Sequence, residues 1–238
     1  MFSQTARIYD VVYGFKDYSG EAARVSSLIA ERAPAARSLL DAACGTGRHL
    51  EHLAQSWDAE GLDVDPELLR VARARLPGVT LHEADLVDFD LGTTYDAVTC
   101  LFSSIGYMRR PHYLRRAVDR LAAHLAPGGV LIIEPWLSPE AYVVGHHSVH
   151  VAQGDGMSIA RVAVAEREGD LSRMDMNYLI ATDDGVEHLV ERHELGLFTH
   201  AHYSGALEAA GLTVEHDPEG LIGRGLYIAT RPPDPVVD

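Results

Sequence analysis

Cysteine is scarce in this sequence: Cys44 and Cys100 are the only two in 238 residues. Two thiols make neither a disulfide framework nor a zinc signature, and they suit a reducing, cytoplasmic setting. Long apolar runs are missing as well. No stretch approaches the ~18–20 residues that a membrane-crossing helix needs. Met1 to Asp17 lacks the basic start and apolar centre of a secretory leader. Positive charge is in short supply, with 20 Lys and Arg against 35 Asp and Glu and a formal charge of -15. Nucleic acid and anionic membranes both need clustered positive charge, so neither is the expected partner. A local basic pocket for a phosphorylated small molecule stays compatible with that balance. Repeats and low-complexity tracts are also absent. What remains is an acidic chain, 47% hydrophobic, long enough for one sizeable core and an elaboration.

Within that chain, apolar strand-like runs alternate with helical patterns. Strands are expected at Arg37–Asp41, Trp57–Asp63, Val79–His82, Tyr95–Leu101 and Val130–Glu134. Helices are expected at Arg48–Gln55, from Pro66 to Leu76, and at His112–Leu125, the last closed by Pro127-Gly128-Gly129. Asp65 reads as a cap before Pro66. This order predicts an α/β fold: a doubly wound, mostly parallel, Rossmann-like sheet. Ligands of such sheets bind beyond the carboxyl ends of the strands. Asp41, Asp63, Asp85 and Phe102 all fall at such ends.

Residues 1–33 read as a helical lid carrying Tyr9, Tyr13 and Tyr18, which serve either as a cover over a ligand or as core packing. Residues 34–142 and 199–231 form the expected core, with Thr199 capping a helix. Between them, residues 143–198 alternate in period two and carry the turn signals Gly154-Asp155-Gly156, Glu168-Gly169-Asp170 and Asp183-Asp184-Gly185. They predict an antiparallel insertion that covers the rim, forms a dimer interface, or does both. Residues 232–238 read as a loose tail.

The stretch Leu40-Asp41-Ala42-Ala43-Cys44-Gly45-Thr46-Gly47 organises the rim. Glycine lets a backbone turn sharply and lets a ligand approach. A nicotinamide dinucleotide site requires Gly-x-Gly-x-x-Gly, but Leu50 stands where the third glycine belongs. No Gly-Lys-Ser/Thr follows, so a P-loop is excluded too. Asp41 would repel phosphate and suits a cofactor with a cationic end.

At these residues the chain resembles the class I S-adenosylmethionine-dependent methyltransferases. The resemblance implies S-adenosyl-L-methionine as cofactor. It places Ala43, Gly45 and Gly47 along the methionine part and Asp63 on the ribose hydroxyls. Asp85 and Leu86 would hold the adenine, with Phe102 at the neighbouring strand end and Tyr18 near the methionine carboxylate. A closer resemblance covers nearly the whole chain. It is to the N,N-dimethyltransferases of nucleotide-linked amino sugars in antibiotic pathways, carried by Tyr9-Asp10, Lys16-Asp17-Tyr18, Phe102 to Tyr107, Ala126 to Gly129, Glu134-Pro135-Trp136, Leu197-Phe198-Thr199 and Gly223 to Leu226. The chain departs from that pattern at Leu137, at Ile222 and around His146–Val151, all in the part expected to bind the acceptor.

The implied reaction is N-methylation of a small nucleotide-linked (dTDP-type) amino sugar. Tyr9 and Tyr107 are expected at the reacting centre, positioning the amine and shielding the sulfonium. A dedicated base is not compulsory. Lys16, Arg161, Arg173 and Arg224 are candidate phosphate ligands. Trp136 and Tyr178 either line the sugar site or pack in the core. His146 and His147 point to opposite faces of a strand, so they do not make a metal site. Two other readings stand beside this one. The acceptor is another small polar amine or hydroxyl, or the protein is a non-catalytic S-adenosylmethionine-binding regulator.

Overall fold

The computed structural model describes residues 5–234. Residues 1–4 of the expected lid and 235–238 of the expected tail lie outside the described residues. Two helices come first, α1 (Ala6–Val12) and α2 (Tyr18–Arg32). Asp17 starts the second by accepting the Gly20 N–H at 2.9 Å. Then follow β1 (Ser38–Ala42), α3 (Arg48–Leu53), β2 (Asp58–Asp63), α4 (Pro66–Arg75) and β3 (Leu81–Glu83). Next come β4 (Tyr95–Cys100), a 3-10 turn at Ser104–Met108, α5 (Pro111–Ala123) and β5 (Leu125–Ile133). The antiparallel segment holds β6 (His147–Gly154), β7 (Met157–Val164), β8 (Glu166–Glu168), β9 (Leu171–Thr182) and β10 (Gly185–Gly196). The described elements end with α6 (His200–Ala209), β11 (Thr213–Asp217) and β12 (Leu226–Thr230).

The main sheet has seven strands in the order β11-β12-β5-β4-β1-β2-β3. β11 to β12 and β12 to β5 are antiparallel, and the other pairs are parallel. The chain reverses its direction of travel between β1 and β4, so their carboxyl ends open a crevice there. Adjacent residues point to opposite faces of a strand. Leu39, Ala97, Val130 and Ile132 therefore pack under Val25 and Ile29 of α2 and Leu50 of α3. Leu40, Val98, Leu131 and Ile133 pack under α5 and α6 on the other face. Leu114, Ala117, Val118 and Leu121 recur at helical spacing and make the buried stripe of α5.

Pro127-Gly128-Gly129 does not close α5 as expected. The helix stops at Ala123, and the three residues lie inside β5, where its register against β4 shifts. A side chain on Gly129 would stand 2.8 Å from the Asp96 carbonyl oxygen. The close approach of two backbones, not a helix stop, requires that glycine.

The second sheet runs β10-β9-β7-β6, with β8 paired to β9. One of its faces seats α1: Ile8 and Val12 pack on Ile159, Tyr178 and Ile180. Asp10 of the same helix accepts the Thr46 hydroxyl at 2.7 Å and pairs with Arg75 of α4. Thus α1 joins the insertion to the glycine-containing loop after β1. On the far side of the main sheet, Thr199 and His202 cap α6 reciprocally, at 3.3 and 3.2 Å. Thr199→Ala should lower unfolding stability by about 1 kcal/mol in urea titration. An unchanged midpoint would mean that the cap contributes nothing.

Candidate functional site

Two clefts meet at the carboxyl rim. The first, about 880 Å³ in volume, lies over β1, β2 and β4. Asp63 ends β2 and is 7% exposed. Its Oδ2 accepts the Gly45 N–H at 2.8 Å and its Oδ1 the Asp65 N–H at 2.9 Å. Burial raises its pKa despite these donors. Asp41 ends β1 beneath the loop and accepts the Thr99 hydroxyl at 2.7 Å. Gly45 has a φ of +58°, and a Cβ there would meet open space. Ala43, Phe102 and Ser103 also hold positive φ, at 62°, 53° and 61°. Such conformations are strained without glycine and gather at ligand sites. Opposite stands Tyr18, whose buried hydroxyl has no hydrogen-bond partner among the described residues. The Arg48 guanidinium lies 4.9 Å from the centre of its ring. Leu68, Leu86, Ala84 and Met108 supply an apolar wall beside Asp85.

This donor set fits S-adenosyl-L-methionine. The Tyr18 hydroxyl and Arg48 suit a carboxylate, and Asp41 suits an ammonium. Asp63 suits vicinal hydroxyls, and the apolar wall with Asp85 suits a flat ring carrying an amine. Burial makes each of these carboxylates costly unless a donor meets it.

The second cleft lies between α1, the end of β4 and the insertion sheet. Tyr9, Phe102, Ser104 and Tyr107 line both clefts and form their junction. Arg161, Arg224, Lys16 and Trp136 line the second. The Arg224 guanidinium sits 4.7 Å from the Trp136 ring centre and donates to the Ser103 hydroxyl at 2.9 Å. Arg161 lies over the Tyr13 ring at 5.2 Å. Lys16 is buried and ion-paired with Glu21, which also meets His49 Nε2 at 2.9 Å. Burial works to raise Glu21, and hydrogen bonds from His49 and Lys16 outweigh it and hold the carboxyl low.

Three expected site residues lie off the clefts. Gly47 lines neither one; with φ at +78° it starts α3, and a Cβ there would come within 3.0 Å of Leu76. Arg173 alternates to the opposite face of β9 from Met174 and pairs with Glu166 and Glu168. Tyr178 is 2% exposed and packs under α1. Conversely, Arg48, Met108 and His193 line the clefts although no motif points to them, and Tyr13, expected as part of the lid, lines the second cleft. Tyr13 carried a signal, since it stands one helical turn after Tyr9. The others had none, because they come from separate elements.

A doubly wound sheet with this rim defines a Rossmann-like methyltransferase. Residues 39–129 match the family model described as a methyltransferase domain. The chain is 43% identical to the dTDP-3-amino-3,6-dideoxy-alpha-D-glucopyranose N,N-dimethyltransferase of Streptomyces fradiae, over 94% of this chain and 89% of that protein. The crystal structure of Streptomyces venezuelae DesVI superposes with a TM-score of 0.92 at 42% identity, covering 95% of this chain and 98% of that one. CalS10, an S-adenosylmethionine-bound amino pentose methyltransferase from Micromonospora echinaspora involved in calicheamicin biosynthesis, gives 0.87 at 40% identity, covering 94% and 96%. The chain belongs to the S-adenosylmethionine-dependent methyltransferases, in the family of the dTDP-amino-sugar N,N-dimethyltransferases. It is an enzyme, and its cofactor is S-adenosyl-L-methionine.

Burial raises Asp41 to about 6, with His49 and the Thr99 hydrogen bond acting the other way. Its folded value lies above its unfolded one. Its contribution to stability is therefore full below about pH 4 and is lost as pH rises through about 6. Asp41→Asn removes that loss. Without ligand, the variant should be more stable than the parent at pH 8 by on the order of 3 kcal/mol. The gap should close near pH ~4. Denaturant titration at the two pH values checks this, and a less stable variant at pH 8 would contradict it.

Proposed function

We propose that the protein N,N-dimethylates the amine of a dTDP-linked amino sugar. The observation that carries this reading is the second cleft, joined to the first through Tyr9 and Tyr107 and supplied with Arg161 and Arg224 in an otherwise acidic protein. The names of three relatives with 3-amino or 4-amino dTDP-sugar substrates support it. S-adenosyl-L-methionine, when bound, supplies a methyl group activated on a sulfonium. In this reading Asp63 binds the ribose hydroxyls, Asp85 and Leu86 the adenine, and Asp41, Ala43, Gly45 and Tyr18 the methionine end. Tyr9, Tyr107 and Phe102 enclose the reacting centre and exclude water, and the two tyrosines align the amine. Arg161 and Arg224 grip the diphosphate, with Lys16 sharing its charge between Glu21 and the cleft. Residues 1–33 act as the lid and 143–198 as the acceptor cover over the core of 34–142 and 199–231. The site is expected to work in the cytoplasm.

The test is a panel of dTDP-3-amino-3,6-dideoxyglucose and dTDP-4-amino-2,3,4,6-tetradeoxyglucose, read by mass spectrometry. One and then two added methyl groups support the reading; no product with either sugar overturns it. Arg224→Ala should raise the acceptor KM roughly tenfold or more and leave S-adenosylhomocysteine binding unchanged, while Asp63→Ala should do the reverse.

We also propose a homodimer through the outer face of the insertion sheet. Val149, Val151, Val162, Val164 and Leu179 are exposed together on that face. A lone apolar sheet face favours stacking on a second sheet. In a chain of charge -15, Asp175 on this face is already paired with Arg192 at 2.6 Å. Two copies therefore meet there with little repulsion. Sedimentation velocity should give a dimer, and Val149→Glu with Leu179→Glu should give an active monomer. A monomeric parent protein would refute the interface.

A further inference from the structure

The hydroxyl of Tyr107 does not end the chain of polar contacts at the junction. It lies 2.7 Å from His193 Nδ1 on β10. His193 Nε2 lies 3.3 Å from Glu191 Oε2, and the same oxygen accepts the Thr5 hydroxyl at 2.6 Å. Strand alternation aims Glu191, His193 and Leu195 inward, while Arg192 and Glu194 face out. His193 is 3% exposed and Glu191 8%. A phenol, an imidazole and a carboxylate thus run in series from the point where the clefts meet into the protein.

An alkyl amine is mostly an ammonium ion near neutral pH, and an ammonium has no lone pair for a methyl group. The first methylation leaves a second ammonium, which must lose a proton before the next transfer. We infer that His193, acting through Tyr107 and with the Glu191 carboxylate beside it, takes the proton that the acceptor amine sheds before each methyl transfer. This rests on the proposed amine acceptor. In the step, the N–H bond of the ammonium breaks and the nitrogen keeps the electron pair. Its proton goes to the Tyr107 oxygen as the phenol's own proton passes to His193 Nδ1. The imidazole becomes an imidazolium beside the Glu191 carboxylate. Nothing is oxidised or reduced, and the proton returns to solvent when the product leaves.

The surroundings suit a relay. Burial raises the Tyr107 phenol, which keeps it from holding a negative charge and makes it a conduit instead of a base. Around it stand Tyr13 just after α1, Tyr178 of β9, Glu191 and, across the junction, Asp63. Arg161 of β7 faces Tyr13 and Tyr178 on the same side. Directly across β9 from His193 is the uncharged Met174. Glu191 is therefore the carboxylate nearest to His193 in the inward row. His193 is a positioning residue in this scheme, since it reaches the amine only through Tyr107.

His193→Gln keeps a polar side chain but no basic nitrogen. Its fold is checked by the thermal shift with S-adenosylhomocysteine, which should match the parent. Its kcat at pH 7 with dTDP-3-amino-3,6-dideoxyglucose should fall at least about tenfold. The rate should then climb about tenfold per pH unit as the amine deprotonates without help, approaching the parent at alkaline pH. The acceptor KM should move little. Glu191→Gln should show a smaller loss of the same form. An equal loss at every pH, or a parent-like pH profile, overturns the relay. A second readout needs no turnover. Nitrogen-15 spectra of histidine-labelled protein, with the His193 signals identified by their absence in His193→Gln, should show the neutral ring protonated at Nε2. A proton on Nδ1 also overturns it. If the parent methylates neither sugar, the acceptor assignment fails, and the tautomer still decides whether Tyr107 donates to His193.

Discussion

The cleft depends on one buried carboxylate. Asp63 reaches from the end of β2 to the N–H of Gly45 in the neighbouring loop and to the N–H of Asp65 at the start of α4. Two segments that follow different strands are thereby held to the same group. A buried acid is costly unless donors meet it, and these two backbone donors do so only in this arrangement. The loop after β1 is then fixed from a second side, where Thr46 donates to Asp10 and its carbonyl accepts from Arg75. Because Asp10 belongs to α1, the contact that shapes the cofactor loop also sets the position of Tyr9.

The second cleft inherits that placement. α1 rests on the insertion sheet through Ile8 and Val12, so the sheet and the loop bear on the same short helix. The left-handed residues Phe102 and Ser103 turn the chain away from β4 and bring Tyr107 against His193. Glu134 steadies this turn by accepting the Phe102 N–H at 2.6 Å. Burial raises Glu134 while Lys16 and Arg224 oppose it, so these two cations balance a buried acid as well as facing the cleft. An acidic protein can in this way carry cations into a pocket without leaving them unpaired.

Much of the fold is legible in the sequence. Alternating periods of two and 3.6 predict β1 to β4 to within a few residues and the apolar second half of β5, because burial on defined faces writes that pattern locally. The run Pro127 to Gly129 is ambiguous in sequence, since a glycine pair marks a helix stop and a close strand crossing alike. Arg173 lies off the cleft, and Tyr178 takes the core alternative, for another reason. Residue type announces a phosphate ligand or a stacking ring, whereas one step along a strand or one covering helix decides whether it meets the cleft. His193 carries no local signal that sets it apart from the other histidines among the 13 in the sequence.

The sequence by itself determined the order of elements, the acidic strand ends and the family to which the chain belongs. These are local or collinear properties, written in periodicity, spacing and motif. Only the tertiary structure decided that Tyr9 and Tyr107 share a junction, that Gly47 supports a helix start, and that Tyr107, His193 and Glu191 stand in series. Tyr107 and His193 are 86 positions apart. Such contacts arise from how two sheets and one short helix pack, and no local pattern encodes that distance.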